Sequence, residues 1–211
     1  MLIFIPAYDD ATKTNLNVVL PIIPHHAFSL IGEAATREQL WLQLAEHTHL
    51  FAMCHGNSDV LWDNINKPAI KTRDFQDFVE KQAFVFACYT SNELGKQLKT
   101  NRSIYWGYTG SIVTPTDEIE VIHLFREIFQ FIINGFHTCK NVEQVATMIH
   151  DLKTLCHTAE ETLDTLFYTG SNILSSYTCL NHIWNRLRVH HFASEEPLKH
   201  IEAREGDLFE V

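Results

Sequence analysis

The sequence predicts an α/β fold in which a mostly parallel sheet is flanked by helices and followed by a helical C-terminal extension. Two observations predict it. Up to the segment TGSIVTPTDE, short apolar runs alternate with polar stretches of helical pattern, as in a parallel sheet whose crossovers are helices. Beyond that segment the apolar residues recur at helical spacing and no run reads as a strand. A chain of 211 residues, 45% apolar and 20% charged, can bury one core of ordinary to large size.

The expected strands are Leu2–Ala7, Ala27–Glu33, His49–Cys54, Phe84–Cys88 and Ser103–Tyr108, each built round a short apolar run. Helices are expected between them at Thr14–Leu20, Thr36–His47, Thr72–Gln82 and Ser91–Lys99. Thr36 stands just ahead of Glu38, and Thr72 just ahead of Asp74. Each pairs a capping hydroxyl with an acid in the first helical turn.

In the second half, helical periodicity runs from Glu118 to Phe136, from Val142 to Leu155 and from Ala159 to Val189. Phe125, Phe129, Phe131 and Phe136 form an apolar stripe expected to face the core. The junction holds no stretch rich in Gly, Pro or Ser, so residues 116–211 are expected to pack on the core built by 1–115. The polar residues after Phe192 read as a tail.

A net charge of −10 with only 16 Lys and Arg excludes a nucleic-acid partner, because phosphate recognition needs clustered cations. The opening MLIFIPAYDD lacks a basic leader and soon meets two acids, and no run approaches the roughly 18 apolar residues of a spanning helix. No membrane partner and a cytoplasmic location are therefore expected. The five cysteines, Cys54, Cys88, Cys139, Cys156 and Cys179, are odd in number and form no CxxC pair, so reduced thiols are expected. The pairs His25-His26, Cys54-His55 and His190-His191 lack zinc-site spacing. No metal and no cofactor are expected, and His190-His191 reads as a solvated helix end.

Chemistry concentrates where two expected strands end. HLFAMCHGN delivers His55-Gly56 and FVFACYTSN delivers Cys88. Groups beyond the carboxyl ends of neighbouring parallel strands converge on one crevice. A thiol becomes a nucleophile once it loses its proton, which a nearby imidazole can accept. Gly56, without a side chain, lets its N–H approach a scissile carbonyl, and with the N–H of Cys88 it could form an oxyanion hole. Cys54 alternates to the opposite strand face from His55 and is expected in the core, as are Cys139, Cys156 and Cys179.

FAMCHGN, followed by VFACYTSNELG and the strand YWGYTGSI, resembles the caspase-like cysteine peptidases, most closely the CHAT branch. The resemblance spans about residues 1–115 and implies a three-layer caspase-like sheet. It also implies peptide-bond hydrolysis by a Cys/His dyad carried by Cys88 and His55. The caspase pattern of Gln before Ala-Cys and Gly two residues after is absent from Phe86-Ala87-Cys88-Tyr89-Thr90. Cleavage after a basic residue, as in the metacaspase and CHAT branches, is therefore expected rather than cleavage after aspartate.

In the family the loop after the first strand lines the pocket for the residue before the cut, which makes Asp9 and Asp10 substrate-binding candidates, with Asp117 beyond the TGSI strand. The implied partners are a protein substrate and a controlling protein, in a setting such as prokaryotic defence. The alternative is a catalytically silent module of the same fold that binds a regulator through its helical half.

Overall fold

The computed structural model describes residues 1–115, 119–166 and 173–204. Its strands are β1 (Leu2–Ile5), β2 (Phe28–Ile31), β3 (His49–Met53), β4 (Val60–Trp62), β5 (Pro68–Lys71), β6 (Gln82–Phe86), β7 (Ile104–Tyr108) and β8 (Leu187–His191). Its helices are α1 (Asp10–Val19), α2 (Arg37–Leu44), α3 (Leu94–Leu98), α4 (Ile119–Gly135), α5 (Val142–Thr165) and α6 (Ile173–Asn185).

Six strands form one sheet in the order β2-β1-β3-β6-β7-β8. The first five are parallel and β8 runs antiparallel to β7. Strands β4 and β5 pair as a separate antiparallel hairpin between β3 and β6.

Strand alternation sorts the apolar side chains into two cores. Ile3, Ile5, Phe51, Met53, Phe84, Phe86, Trp106 and Tyr108 meet α1, α4, α5 and α6 on one face. Leu2, Phe4, Leu50, Ala52, Ala83, Val85 and Tyr105 meet α2, α3 and the hairpin on the other. The result is three layers, and a sheet covered on both faces explains why its strands read as continuous apolar runs.

The first core is aromatic. Phe51 stacks on Phe84 at 5.9 Å, and Phe86 meets Phe129 of α4 edge to face at 5.0 Å. Truncating the fully buried Phe129 to Ala would cost about 3–5 kcal/mol.

Among the described residues, side-chain caps close the first orphan amides of three helices. Asp9 caps α1 and forms a capping box with Thr12, Thr36 caps α2 through the Gln39 N–H, and Asn141 caps α5 through the Gln144 N–H. The first helix therefore starts at Asp10 rather than at Thr14.

Several expectations are corrected. The segment Thr72–Gln82 is not a helix: it makes a 3₁₀ turn over Thr72–Gln76 and enters β6 at Gln82. Asp74 serves as a clamp, accepting from the Lys71 N–H at 2.8 Å and from the Arg37 guanidinium at 2.8 and 2.9 Å. The second half is not wholly helical. Helix α5 continues to Thr165, α6 ends at Asn185, and the chain then enters the sheet as β8.

His190 and His191 are buried on β8 instead of ending a solvated helix. His190 Nε2 lies 2.8 Å from Ser91 Oγ, and His191 Nε2 lies 3.3 Å from the Lys140 carbonyl. After Phe192 the chain turns back beside β8, where Val189 and Leu198 exchange both backbone hydrogen bonds at 2.9 Å. No helix among the described residues is long and apolar enough to cross a membrane.

Candidate active site

With the hairpin set aside, the chain leaves β1 toward one edge of the sheet and leaves β3 toward the other. In doubly wound sheets the crevice beyond the strand ends at such a reversal is where sites form. Three segments open into it: the link from β1 to α1, the end of β3 and the end of β6.

Register sets the second and third side by side. Met53 pairs with Phe86, and the Cys54 N–H bonds to the Phe86 carbonyl at 3.2 Å. Two residues on, His55 and Cys88 leave their strands at the same level. Both line one cavity of about 320 Å³, together with Asp10, Phe86, Ile112 and Val113. At another side of the same cavity Thr114 Oγ1 donates to Asn15 Oδ1 at 2.8 Å.

The imidazole has a fixed partner. His55 Nε2 lies 2.7 Å from Asp9 Oδ2, and both side chains are about two-fifths exposed. Burial raises the Asp9 carboxyl, but the Thr12 amide and hydroxyl and the His55 ring outweigh it and hold it below the usual carboxylate range. An ionised carboxylate only accepts, so Nε2 carries a proton, and Nδ1 is the nitrogen that can act as an acceptor. Tyr8 packs its ring 5.8 Å from His55, and burial followed by the Asp9 charge pushes its phenol up to about 12.

Cys88 is partly exposed. Its Sγ receives the Ile112 N–H at 3.4 Å and donates to the Ile112 carbonyl at 3.5 Å. Tyr89, the next residue, has φ of 60°, a strained left-handed backbone for a residue with a side chain. The strain is held by its N–H on the Gly110 carbonyl at 3.1 Å and its hydroxyl beside Ser111 Oγ at 3.2 Å.

Gly56 lies where no side chain fits. A Cβ there would meet Thr90 Cγ2 at 2.6 Å and Ala87 Cβ at 3.0 Å. Glycine thus lets the end of β3 close onto the end of β6. The neighbouring amides are used, Asn57 on Val60 and Trp62 on His55, while those of Gly56 and Cys88 meet no acceptor among the described residues.

No family model, curated protein or solved structure matches the chain.

Of the residues singled out in the sequence, Cys88, His55 and Asp10 share the cavity, Gly56 sits against the Cys88 carbonyl, and Asp117 lies outside the described residues. Asp9 bonds to His55 and caps α1. Cys54 is buried, and burial pushes its thiol up to about 12. Cys139, Cys156 and Cys179 are buried too. No group of three or more His, Cys, Asp or Glu is arranged to hold a metal among the described residues.

Sequence reasoning missed the link from Asp9 to His55 and the contacts of Ile112 with the thiol. The pattern Asp9-x-x-Thr12 is a readable capping signal and could have revealed the helix start. Ile112 has no comparable signal.

Proposed function

We propose that the protein is a caspase-like cysteine endopeptidase with a Cys88–His55 dyad oriented by Asp9. One observation carries this reading: a thiol and an imidazole from adjacent strand ends line one cavity, and the imidazole is itself held by a carboxylate at 2.7 Å. The three-layer sheet with its crevice at the strand reversal supports the fold assignment.

In the proposed reaction His55 Nδ1 accepts the Cys88 proton and the sulfur attacks the scissile carbonyl. The charge on the carbonyl oxygen falls to the N–H groups of Gly56 and Cys88. His55 then gives its proton to the leaving amine, the C–N bond breaks and a thioester forms on Cys88. Water, deprotonated by His55, cleaves the thioester, releases the acid and restores the thiol. Throughout, Asp9 stabilises the imidazolium that appears between proton transfers.

Asp10 is the carboxylate that lines the cavity among the described residues, which supports a basic residue before the cut. The test is a peptide library digested by wild type and by Cys88→Ala, alongside iodoacetamide labelling at neutral pH. Cleavage lost in Cys88→Ala and selective alkylation of Cys88 are expected. An inert wild type whose Cys88 labels no faster than the buried thiols would overturn the reading.

A further inference from the structure

At the opposite end of the sheet, where β3, β6 and β7 begin, a second cavity of about 380 Å³ opens. Lys81, Arg102 and Lys140 reach it from three separate turns, with His49 and Glu80 beside them and the Phe192 ring on its rim. Three cations converging against one carboxylate stand out in a chain of net charge −10.

These charges are compensated in part, by backbone carbonyls, by one exposed carboxylate and, at Lys81, by the nearby Glu46. Lys81 Nζ rests on the His47 carbonyl at 3.0 Å and on the Leu44 carbonyl at 2.5 Å. Lys140 Nζ faces His49 Nε2 at 3.3 Å rather than an acid. Arg102 meets Glu80 at 3.5 Å in an exposed pair, which contributes little and is readily exchanged for a stronger anion. Burial first, and then the neighbouring Lys140, His137 and N-terminus, push the His49 imidazole down to about 4.

The frame is also preset. Glu80 and Arg102 have φ of 51° and 59°, and their turns are tied by the Glu80 N–H on the Asn101 carbonyl at 2.9 Å. Phe192 is 44% exposed and is held by stacking on His191 at 4.5 Å, so a flat apolar face is offered beside the cations.

We propose that this cavity binds a nucleotide, its phosphate among Lys81, Arg102 and Lys140 and its base against Phe192. The volume is in the range of small-molecule sites, and a planar ring bearing a compact anion matches both surfaces. The site lies at the other end of the sheet from Cys88, so its test is independent of the peptidase reading.

Calorimetry of the full chain would titrate AMP, ATP, adenosine and inorganic phosphate at fixed salt, with circular dichroism as a check of the fold. Expected are binding of AMP and ATP, tenfold or greater weakening of both in Lys140→Ala and Arg102→Ala, and weakening of AMP but not of phosphate in Phe192→Ala. Millimolar AMP and ATP that release no heat would overturn the proposal. So would affinities unchanged in the folded Lys140→Ala and Arg102→Ala variants, or phosphate bound as tightly as AMP.

Discussion

Asp9 caps helix α1 with one carboxylate oxygen and holds His55 with the other. Oδ1 accepts the Thr12 N–H at 2.9 Å, and Oδ2 lies 2.7 Å from His55 Nε2. One side chain thereby locks the start of a helix and the ring of the proposed base, which arrive from segments 46 positions apart.

The two roles separate in variants. Asp9→Asn keeps an oxygen for the cap, so stability should stay within about 0.5 kcal/mol, while the neutral amide no longer supports an imidazolium. Peptidase kcat/KM should fall by about 10²–10⁴, the usual range for losing effective acid–base assistance. Asp9→Ala should lose the rate and about 1 kcal/mol of stability together. Urea melts alongside kinetics give the split, and a full rate in Asp9→Asn would reduce Asp9 to a cap.

The parallel strands were legible in position, because a strand covered on both faces is a continuous apolar run, but not always in extent: β6 runs Gln82–Phe86 where Phe84–Cys88 was expected. His49–Cys54 and Ser103–Tyr108 differ from β3 and β7 by one residue each. Strand β8 was not legible: LRVHH contains an arginine and two histidines, and they lie in the sheet because remote groups such as Ser91 Oγ meet them. Likewise Asp74 looks like a first-turn acid until Arg37, 37 positions away, takes its carboxylate. His55 and Cys88 could be singled out locally, whereas the Asp9 contact needs β1 beside β3, which only the folded sheet decides.

Gly56 should tolerate no side chain. In Gly56→Ala the new Cβ would collide with Thr90 Cγ2 and Ala87 Cβ, pushing the β3 and β6 ends apart at a cost of about 1–3 kcal/mol. Alkylation of Cys88 should slow as well. Thr90→Ser removes the nearer methyl yet keeps the hydroxyl that bonds to the Ala87 carbonyl, so the double variant should regain part of both losses. Wild-type melting and labelling in Gly56→Ala would refute this close packing.

His190 should make the fold sensitive to acid. Burial, aided by Lys99 and Lys96, pushes its imidazole down to about 4, and its Nδ1 is buried with no partner among the described residues. In the unfolded chain the ring titrates near 6.5, so between about 6.5 and 4 the unfolded state binds more protons and stability falls as pH falls. The full contribution is on the order of 3 kcal/mol, present above the unfolded value and lost by about pH 4. His49, pushed to about 4, acts with the same sign. Urea unfolding from pH 7.5 to 4.5 should show the slope, and His190→Gln should flatten it; an equal slope in that variant would remove His190 as a cause.

Asp10 provides the sharpest test of substrate choice. It occupies the first turn of α1 and lines the cavity that holds Cys88 and His55. A charge-assisted bond from a substrate guanidinium or ammonium is worth about 1.5–3 kcal/mol, so losing it costs tenfold or more. Asp10→Asn keeps the side chain's size and hydrogen-bonding reach while removing its charge. The ratio of kcat/KM for peptides with Arg before the cut to those with Leu should therefore fall about tenfold, with cleavage of the Leu peptides little changed. An unaltered ratio would remove Asp10 as the source of the proposed preference for basic residues, whereas equal losses on both peptides would make Asp10 a support of the helix start instead of a reader of substrate charge.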